Sequence, residues 1–203
     1  EVAGQPTLLL TSINDVTLRK QAERRVSVLA EMTHALSTTT SRLAACEILV
    51  EAAQKLLGWD ACFFHRYDTE KQDIENILSR DTVDGKIVDV PMPVKSTTDS
   101  PFVQAVLQHG PKLVLRSGSD PDPEKLVPFG DTRRRSESIL FVPVREGGRT
   151  IGMLSIQSYT PHAYTEASLA TLQSLAEHGA GALERIRAEE LLQTREQQFR
   201  SLI

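Results

Sequence analysis

Few of the residues that usually carry catalysis stand in a catalytic arrangement in this sequence. Gly147-Gly148 separate two strand-like runs, which is the setting of a hairpin turn and not of a phosphate-binding loop that opens a helix. No serine stands at the strand-to-helix turn that exposes a nucleophile, and the acidic pair Glu189-Glu190 falls on a solvated helix. The five histidines lack the short spacing of metal ligands: His34, His65, His109, His162 and His178. We therefore predict no catalytic residue and no metal site.

The two cysteines offer a different kind of chemistry. Cys46 and Cys62 are too few for a disulfide framework, and nothing else in the sequence indicates an oxidising compartment. Cys62 lies in a strand-like run, where it would be a redox sensor or a chromophore attachment point, or else a small buried hydrophobic side chain.

An aromatic strand at residues 60–67 (DACFFHRY) is the first candidate for ligand binding. Because strand side chains alternate between the two faces of a sheet, Phe63, His65 and Tyr67 share one face with Ala61. If that face carries a pocket, Phe63, His65 and Tyr67 are its candidate ligand contacts. The alternative for His65 is a hydrogen-bonded structural histidine. The pattern does not show which face packs against helices.

The run Arg133-Arg134-Arg135 is the second candidate. It ends a polar loop at residues 117–136, and a loop of this length inside a compact domain is usually a functional lid or a disordered segment. Guanidinium groups at a pocket mouth can hold a carboxylate or a phosphate, so Arg133 and Arg135 are predicted ligand contacts. The alternative is a solvated loop in which the arginines balance nearby acids: Asp120, Asp122, Glu124 and Asp131.

Hydrophobic periodicity and turn signals predict the elements that must position these residues. Helices are predicted at residues 17–39, 41–57, 101–109 and 165–190, and strands at 7–13, 60–67, 74–83, 86–94, 112–116, 138–145 and 150–158. Antiparallel hairpins flanked by helices predict an α+β fold with one central antiparallel sheet of about six strands, helices on both faces and long terminal connector helices.

The first and last long helices each carry a narrow apolar stripe. The spacings are those of a coiled-coil seam, at Ala22, Val26, Leu29, Thr33 and Leu36 and at Leu169, Leu172, Ala176, Gly179, Leu183 and Ile186. An unpaired stripe would remain wet, so we predict a parallel homodimer through the terminal helices. The alternative is packing of part of each stripe on the sheet of the same chain.

Overall composition restricts the partners and the setting. The 203 residues carry a net charge of −4, which gives no reason to expect nucleic acid as a partner. The apolar runs fall short of the ~20 residues that a membrane span needs. We expect a cytoplasmic segment of a longer protein, which could be attached to a membrane through segments outside this sequence.

The C-terminal half resembles the second half of a GAF domain. The resemblance rests on residues 138–158 (SILFVPVREGGRTIGMLSIQS) and on the following YTPHAYTEASLATLQSLAEHGAGALE. Upstream, the helix at 41–57 and Gly58-Trp59-Asp60 fit the first half of the same family, so the resemblance covers about residues 40–185. It implies a GAF-like sheet with a pocket on one face, roofed by the short helix and the long loop.

Both ends of the chain resemble pieces of PAS domains. The segment SINDVTLRKQAE at residues 12–23 is similar to the last strand and exit of a PAS domain, and REQQFRSLI at 195–203 is similar to the entry into another. The resemblance implies a PAS remnant at 1–17, a connector helix at 18–39, the GAF domain at 40–185 and a connector helix at 186–203. Asp15 and Thr17 would couple the remnant to the first helix as caps.

PAS–GAF–PAS strings resemble the sensor regions of bacterial multidomain histidine kinases, and less often of cyclic-di-nucleotide enzymes. The resemblance therefore implies a non-catalytic sensory module that relays the state of a ligand or partner domain through its connector helices. The neighbours would be PAS and kinase domains. One alternative is a structural dimerisation spacer without a ligand. Another is a methionine sulfoxide reductase, whose chemistry needs several reactive cysteines near the pocket.

The resemblance leaves the cofactor unknown. The Asn-Lys…Phe…Asp-Glu pattern of cyclic-nucleotide GAF domains and the paired Cys-His of bilin-binding ones are absent from the sequence. We therefore expect neither haem nor bilin, while a small-molecule ligand of another kind remains possible.

Overall fold

Six antiparallel strands form one sheet in the computed structural model, which describes residues 5–71, 73–92, 100–116, 126 and 128–200, with the backbone alone for residues 5–17. The helices are α1 (Gln5–Thr38), α2 (Arg42–Leu57), α3 (Pro101–His109) and α4 (Glu166–Arg200). The strands are β1 (Ala61–Asp68), β2 (Asp73–Val83), β3 (Lys86–Asp89), β4 (Lys112–Leu115), β5 (Ser138–Glu146) and β6 (Arg149–Ser158). Their order in the sheet is β3-β2-β1-β6-β5-β4. The predicted α+β class is confirmed.

The sheet separates two hydrophobic clusters. On the helical face, α1, α2 and α4 cover side chains such as Cys62, Phe64, Leu140 and Leu154. On the opposite face, which we call the cavity face, α3 packs against the alternate residues of the same strands, among them Phe63, Ile139, Phe141 and Met153. Helices therefore lie on both faces, as predicted.

Local signals in the sequence set most element boundaries. Ser41 caps α2 and Ser100 caps α3, with side-chain oxygens that accept from the backbone N–H of Ala44 and Val103. In the β2–β3 turn, Asp84 and Gly85 both have positive φ, at 49° and 76°, as a two-residue hairpin requires.

The N-terminal prediction is wrong. Residues 7–13 were expected to form a strand, but they lie within α1, which runs as one helix from Gln5 to Thr38. A strand needs a neighbouring edge to satisfy its backbone groups, and no described strand lies beside this segment. A helix satisfies the same groups internally.

At the other end, α4 continues to Arg200, ten residues beyond its predicted end at Glu190. The strand predicted at 86–94 is shorter, since β3 ends at Asp89 and residues 93–94 lie outside the described part.

The two predicted stripes have different surroundings. All six stripe residues of α4 are buried within the chain, against α2 and the sheet. In α1, Val28, Met32 and Leu36 face the domain, whereas Val26 is 68% exposed. The alternative of packing on the same chain therefore describes α4 and the C-terminal part of the α1 stripe, at Leu29 and Leu36. The other stripe residues of α1 are exposed: Ala22, Val26 and Thr33. Within the described residues, no helix is both long and apolar enough to span a membrane.

Candidate functional site

A cavity of about 610 Å³ lies on the cavity face. Its floor is formed by β1, β5 and β6, and its walls by α3 and by the part of the loop at residues 128–136. Helix α3 is held on the β5–β6 hairpin because the Arg145 guanidinium donates to the carbonyl oxygen of Leu107 at 3.2 Å. The hydroxyl of Thr150 donates to the same oxygen at 3.1 Å. The resemblance predicted this arrangement of short helix and loop over one sheet face.

One end of the cavity is aromatic. The rings of Phe63 and Phe129 meet edge to face with centroids 5.6 Å apart, and Phe63 lies 6.1 Å from Phe141. All three rings line the cavity, together with Val103 and Ile139. This end offers a planar or aliphatic molecule an apolar surface without unpaired polar groups.

The other end is polar and basic, and it lies where β4 and β6 end and β5 begins. The Arg116 guanidinium donates to the carbonyl oxygen of Ser136 at 3.1 Å, and the Ser136 hydroxyl donates to Oε1 of Gln157 at 2.6 Å. Arg135 precedes Ser136 in the loop and also lines the cavity. This end therefore presents two guanidinium groups, a hydroxyl and an amide to the interior.

A third arginine at this end is fixed by an aromatic ring. The Arg134 guanidinium lies 4.0 Å from the centroid of the Tyr159 ring and also bonds the carbonyl oxygen of Thr82. Its Nε donates to Asp131 at 3.2 Å. These three contacts fix the orientation of the Arg134 guanidinium plane on the cavity wall.

The loop carrying these arginines is anchored to β2 at Asp81. The carboxylate of Asp81 is fully buried and accepts from the backbone N–H of Asp131 at 2.5 Å and from the phenol of Tyr159 at 2.6 Å. Gly130 has a φ of 71°, and a Cβ at this position would clash with the Asp81 carboxylate. The close approach of the loop to β2 therefore requires glycine here.

The structure places Arg133 outside the cavity. Its guanidinium donates to both carboxylate oxygens of Asp131, at 2.7 and 2.9 Å, and lies 3.5 Å from Asp84. These hydrogen bonds lower the pKa of Asp131 to about 2 and raise that of Arg133. Arg133 thus holds the outer surface of the loop, and of the two arginines predicted as ligand contacts only Arg135 reaches the cavity.

His65 lies beside Phe63 on the cavity face of β1. Its ring stacks on Phe63 with centroids 4.3 Å apart and an interplanar angle of 23°. The residue is 1% exposed, and neither ring nitrogen has a hydrogen-bond partner among the described residues. Burial lowers the pKa of His65 to about 4, so the imidazole is neutral at physiological pH. His65 packs against Phe63 and does not itself line the cavity.

The remaining candidates lie away from the cavity. Tyr67 is buried in the cluster on the cavity face, farther along β1, but does not line the cavity. Cys46 and Cys62 are both buried in the cluster on the helical face, and burial raises the pKa of the Cys62 thiol to about 12. Among the described residues, no group of three or more His, Cys, Asp or Glu side chains is placed to hold a metal ion.

Several cavity residues were missed by sequence analysis. Arg116, Phe129 and Phe141 belong to three different segments, and only the sheet brings them together. Phe141 could have been found from strand alternation, because it shares the face of Ile139 in β5. Arg116 could have been found in the same way, because it ends the strand predicted at 112–116 and shares the face of Val114. Phe129 carries no such signal, since it lies in a loop.

A second arrangement of interest joins the helices on the helical face. The guanidinium of Arg185 in α4 donates to the carbonyl oxygens of Leu36 and Thr39 at 3.1 and 2.7 Å, which ties α4 to the C-terminal end of α1. Arg42 at the start of α2 pairs with Glu190 in α4. Asp15 and Thr17 were predicted to couple an upstream domain to the first helix as caps, but their backbone lies inside α1, which begins at Gln5, so neither residue caps this helix. Their side chains lie outside the described residues.

Comparison with known proteins adds a family match. A family model described as a GAF domain matches residues 39–184. No curated protein matches the sequence.

Solved structures resemble this chain at low sequence identity. The GAF domain of a phosphoenolpyruvate-protein phosphotransferase from Coxiella burnetii has a TM-score of 0.63 and 17% identity, over 84% of this chain and 98% of that one. The GAF domain of a putative sensor histidine kinase from Pseudomonas syringae pv. tomato has a TM-score of 0.59 and 15% identity, over 89% and 99%. A free methionine-R-sulfoxide reductase from Neisseria meningitidis, in complex with its substrate, has a TM-score of 0.60 and 19% identity, over 81% and 91%. These likenesses are of fold.

Proposed function

The chain belongs to the GAF domain family, and we propose that it is a ligand-binding sensory domain of a signalling protein. GAF domains are sensory and regulatory modules of such proteins. The observation that carries the proposal is the cavity of about 610 Å³, because its volume falls within the roughly 300–1,000 Å³ typical of small-molecule sites.

The strands under the cavity also pack against the helices, so binding of a ligand on one face of the sheet would affect the packing on the other face. In β5, Ile139 and Phe141 face the cavity while Leu140 and Val142 pack in the cluster beneath α4. Because the interior is close-packed, a shift of β5 toward or away from a ligand must be accommodated by α4. A regulatory domain needs only ~1–3 kcal/mol of such coupling to change an output by a useful factor.

The route continues from α4 to α1 through Arg185. Its guanidinium holds the last carbonyl oxygens of α1, at Leu36 and Thr39, so that rotation of α4 moves the end of α1. Both long helices would then carry the change toward neighbouring domains. We propose that those neighbours are PAS domains, joined to this domain through α1 and α4.

We propose a sensor histidine kinase as the parent protein, on the sequence resemblance of residues 195–203 to the entry of a PAS domain. The N-terminal end resembles the last strand of a PAS domain in sequence but is helical from Gln5. The sensor region of a cyclic-di-nucleotide enzyme is the alternative parent. In either parent this segment would be regulatory and would not catalyse the output reaction.

We further propose that the module works as a homodimer in which the α1 helices pair. The exposed stripe of α1 supports this, since Leu18 and Val26 are 65% and 68% exposed on one side of the helix. Beyond the domain, α4 also exposes Leu191, Leu192 and Phe199, at 51%, 61% and 71%. Apolar side chains repeated along two long helices favour a helical partner.

Two rival functions make different demands on the cavity face. A spacer without a ligand would fill this face with its own side chains, whereas here a cavity with a basic end lies open beside α3. A methionine sulfoxide reductase would need reactive cysteines at the cavity. Both cysteines of the chain lie instead in the cluster on the helical face.

The test is native mass spectrometry of protein purified without denaturation. The proposal predicts a bound small molecule in the wild type and its loss in Val103→Trp, whose indole would occupy the cavity. Val88→Trp is the matched control, because Val88 is 39% exposed on β3, away from the cavity. Circular dichroism would establish that both variants fold. If no molecule is bound and no metabolite raises the melting temperature of the wild type, the spacer is favoured.

A further inference from the structure

We propose that the cavity takes a small molecule with an apolar body and a terminal oxyanion, a carboxylate or a phosphate, held by Arg116, Arg134 and Arg135. The inference rests on the proposed function, since it names the class of ligand for the same cavity. It is carried by the separation of the lining into an aromatic end and a cationic end.

The cationic end gathers three guanidinium groups from two segments. Arg116 follows β4, while Arg134 and Arg135 come from the loop before β5. The bond from Arg116 to the carbonyl oxygen of Ser136, at 3.1 Å, places that guanidinium beside the residue following Arg135. None of the described residues that line the cavity is Asp or Glu. Guanidinium forks bind planar carboxylates and phosphate oxygens through paired hydrogen bonds.

The position of Arg134 is set before any ligand arrives. Tyr159 lies under its guanidinium plane, and Asp131 accepts from its Nε. Asp131 is shared with Arg133, which takes both of its oxygens. Arg133 and Arg134 thus share the Asp131 carboxylate, and Arg133 also lies 3.5 Å from Asp84 on the outer surface. The Asp131 contact therefore holds the Arg134 guanidinium on the cavity wall, where it can reach an incoming anion.

Neutral groups complete the polar end. The Ser136 hydroxyl donates to Gln157 at 2.6 Å, which orients the amide of Gln157 on the cavity wall. Ser100, the N-cap of α3, also lines the cavity, next to Val103. At the polar end, the Nε2 of Gln157 remains able to donate to a negative group, because its Oε1 is the atom that accepts from Ser136.

The aromatic end of the cavity determines which chemistry the remainder of the ligand must have. Phe63, Phe129 and Phe141 present ring faces and edges, and Val103 and Ile139 close the sides. A fully polar ligand, such as a free inorganic anion, would leave this surface wet. The cavity therefore fits an amphipathic molecule, whose apolar body fills the aromatic end.

A matched pair of fluorescent probes tests the charge requirement in the intact chain. 8-Anilinonaphthalene-1-sulfonate and N-phenyl-1-naphthylamine share one aromatic skeleton and differ in the sulfonate. We expect the sulfonate probe to bind at least tenfold more tightly. Equal affinity of the two probes would overturn the oxyanion while leaving a ligand-binding cavity in place. Failure of both to bind would overturn the proposed function as well.

Variants then assign the binding to the arginines. Arg135→Gln should weaken the sulfonate probe at least tenfold and leave the neutral probe unchanged, and Arg135→Lys should retain part of the affinity because it retains the charge. Arg187→Gln on α4 removes the same charge from the opposite side of the molecule and should change neither affinity. If Arg187→Gln and Arg135→Gln have equal effects, the probe binds by general surface charge and the proposal fails.

Displacement distinguishes the two oxyanions. 2-Naphthoate, 2-naphthyl phosphate and neutral 2-naphthol would compete with the bound sulfonate probe. The proposal expects one of the two anions to displace it at least tenfold more effectively than 2-naphthol, and the better of the two identifies the head group. Equal displacement by all three would contradict it.

Discussion

The phenol of Tyr159 donates a 2.6 Å hydrogen bond to the carboxylate of Asp81, which joins the end of β6 to β2 across the intervening β1. The second oxygen of Asp81 accepts from the backbone N–H of Asp131 at 2.5 Å. One fully buried carboxylate thus fixes the strand end that carries Tyr159 and the loop that carries the arginines. Because Tyr159 also lies under Arg134, the anchor at Asp81 helps to fix this guanidinium at the cationic end of the cavity.

Removal of the anchoring hydroxyl in Tyr159→Phe should loosen the loop. Hydrogen bonds to charged groups contribute about 1.5–3 kcal/mol, so we expect the free energy of unfolding to fall by that amount. We also expect the affinity for 8-anilinonaphthalene-1-sulfonate to fall two- to fivefold, as measured by fluorescence titration.

Tyr164→Phe is the matched control. Its hydroxyl donates to the carbonyl oxygen of Gly58 at 2.9 Å, on the helical side of the molecule. Loss of this neutral bond should cost about 1 kcal/mol of stability and leave the affinity for the probe unchanged. If both variants weaken the probe equally, the Asp81 anchor has no particular link to the cavity.

Stability should depend on pH through His65. Its folded-state pKa is lowered to about 4 from an ordinary 6.5, so the unfolded chain binds a proton that the folded chain refuses between these values. The contribution is fully present above pH 6.5 and is lost as the pH falls toward 4. At about 1.4 kcal/mol per pKa unit, the total loss is roughly 3 kcal/mol.

Urea unfolding of the wild type and of His65→Phe between pH 4 and 7.5 measures this effect. The variant should lose most of the slope of stability against pH, because its buried ring does not titrate. His178→Phe changes an exposed histidine of α4 and should retain the slope. An unchanged slope in His65→Phe would show that His65 is hydrated and titrates normally in the fold.

Substitution of two glycines in α4 distinguishes the effect of helix packing on stability from the effect of helix propensity. A Cβ at Gly179 would lie 2.6 Å from the Leu49 side chain in α2, whereas a Cβ at Gly181 would meet nothing within 4 Å. Gly181→Ala should therefore raise stability by about 0.5–1 kcal/mol through helix propensity alone. Gly179→Ala should lower it, because α2 and α4 must separate, by about 1–3 kcal/mol. Thermal unfolding of the two variants measures the difference, and a gain in both would contradict the close α2–α4 packing.

The α1 stripe can be tested by the mass of the particle in solution. We expect a dimer in sedimentation equilibrium, and we expect Val26→Lys to shift it toward monomer because a charge would enter the helix pair. Ser27→Lys introduces the same charge at an exposed neighbouring position, about 140° around the helix from Ala22, and should preserve the dimer. A wild-type monomer at high concentration would exclude pairing through α1.

Sequence analysis predicted the parts of the fold that depend on local signals. The helices at 41–57 and 101–109 and the alternation of the strand at 60–67 depend on residues that are close together in the sequence, and the structure has all three. The strand predicted at residues 7–13 was wrong because β propensity alone does not decide the structure of a segment that has no described strand beside it.

The candidate site was predictable only in outline. The arginine run was found, but which members of the run face the cavity depends on contacts that are distant in sequence. Arg134 reaches Thr82 and Tyr159, while Arg133 turns outward to Asp84. Adjacent residues of a loop have no fixed period, so their directions follow from the anchor at Asp81 and not from spacing.

The central claim is that occupancy of the cavity reaches α4 through β5. Hydrogen–deuterium exchange of the wild type, with and without saturating 8-anilinonaphthalene-1-sulfonate, tests it most directly. The account predicts slower exchange in residues 128–136 and in β5, and a change in α4 around Leu183 and Ile186, whose side chains pack in the same cluster as Leu140. Exchange that changes only around the cavity, with α4 unaffected at full occupancy, would contradict the relay.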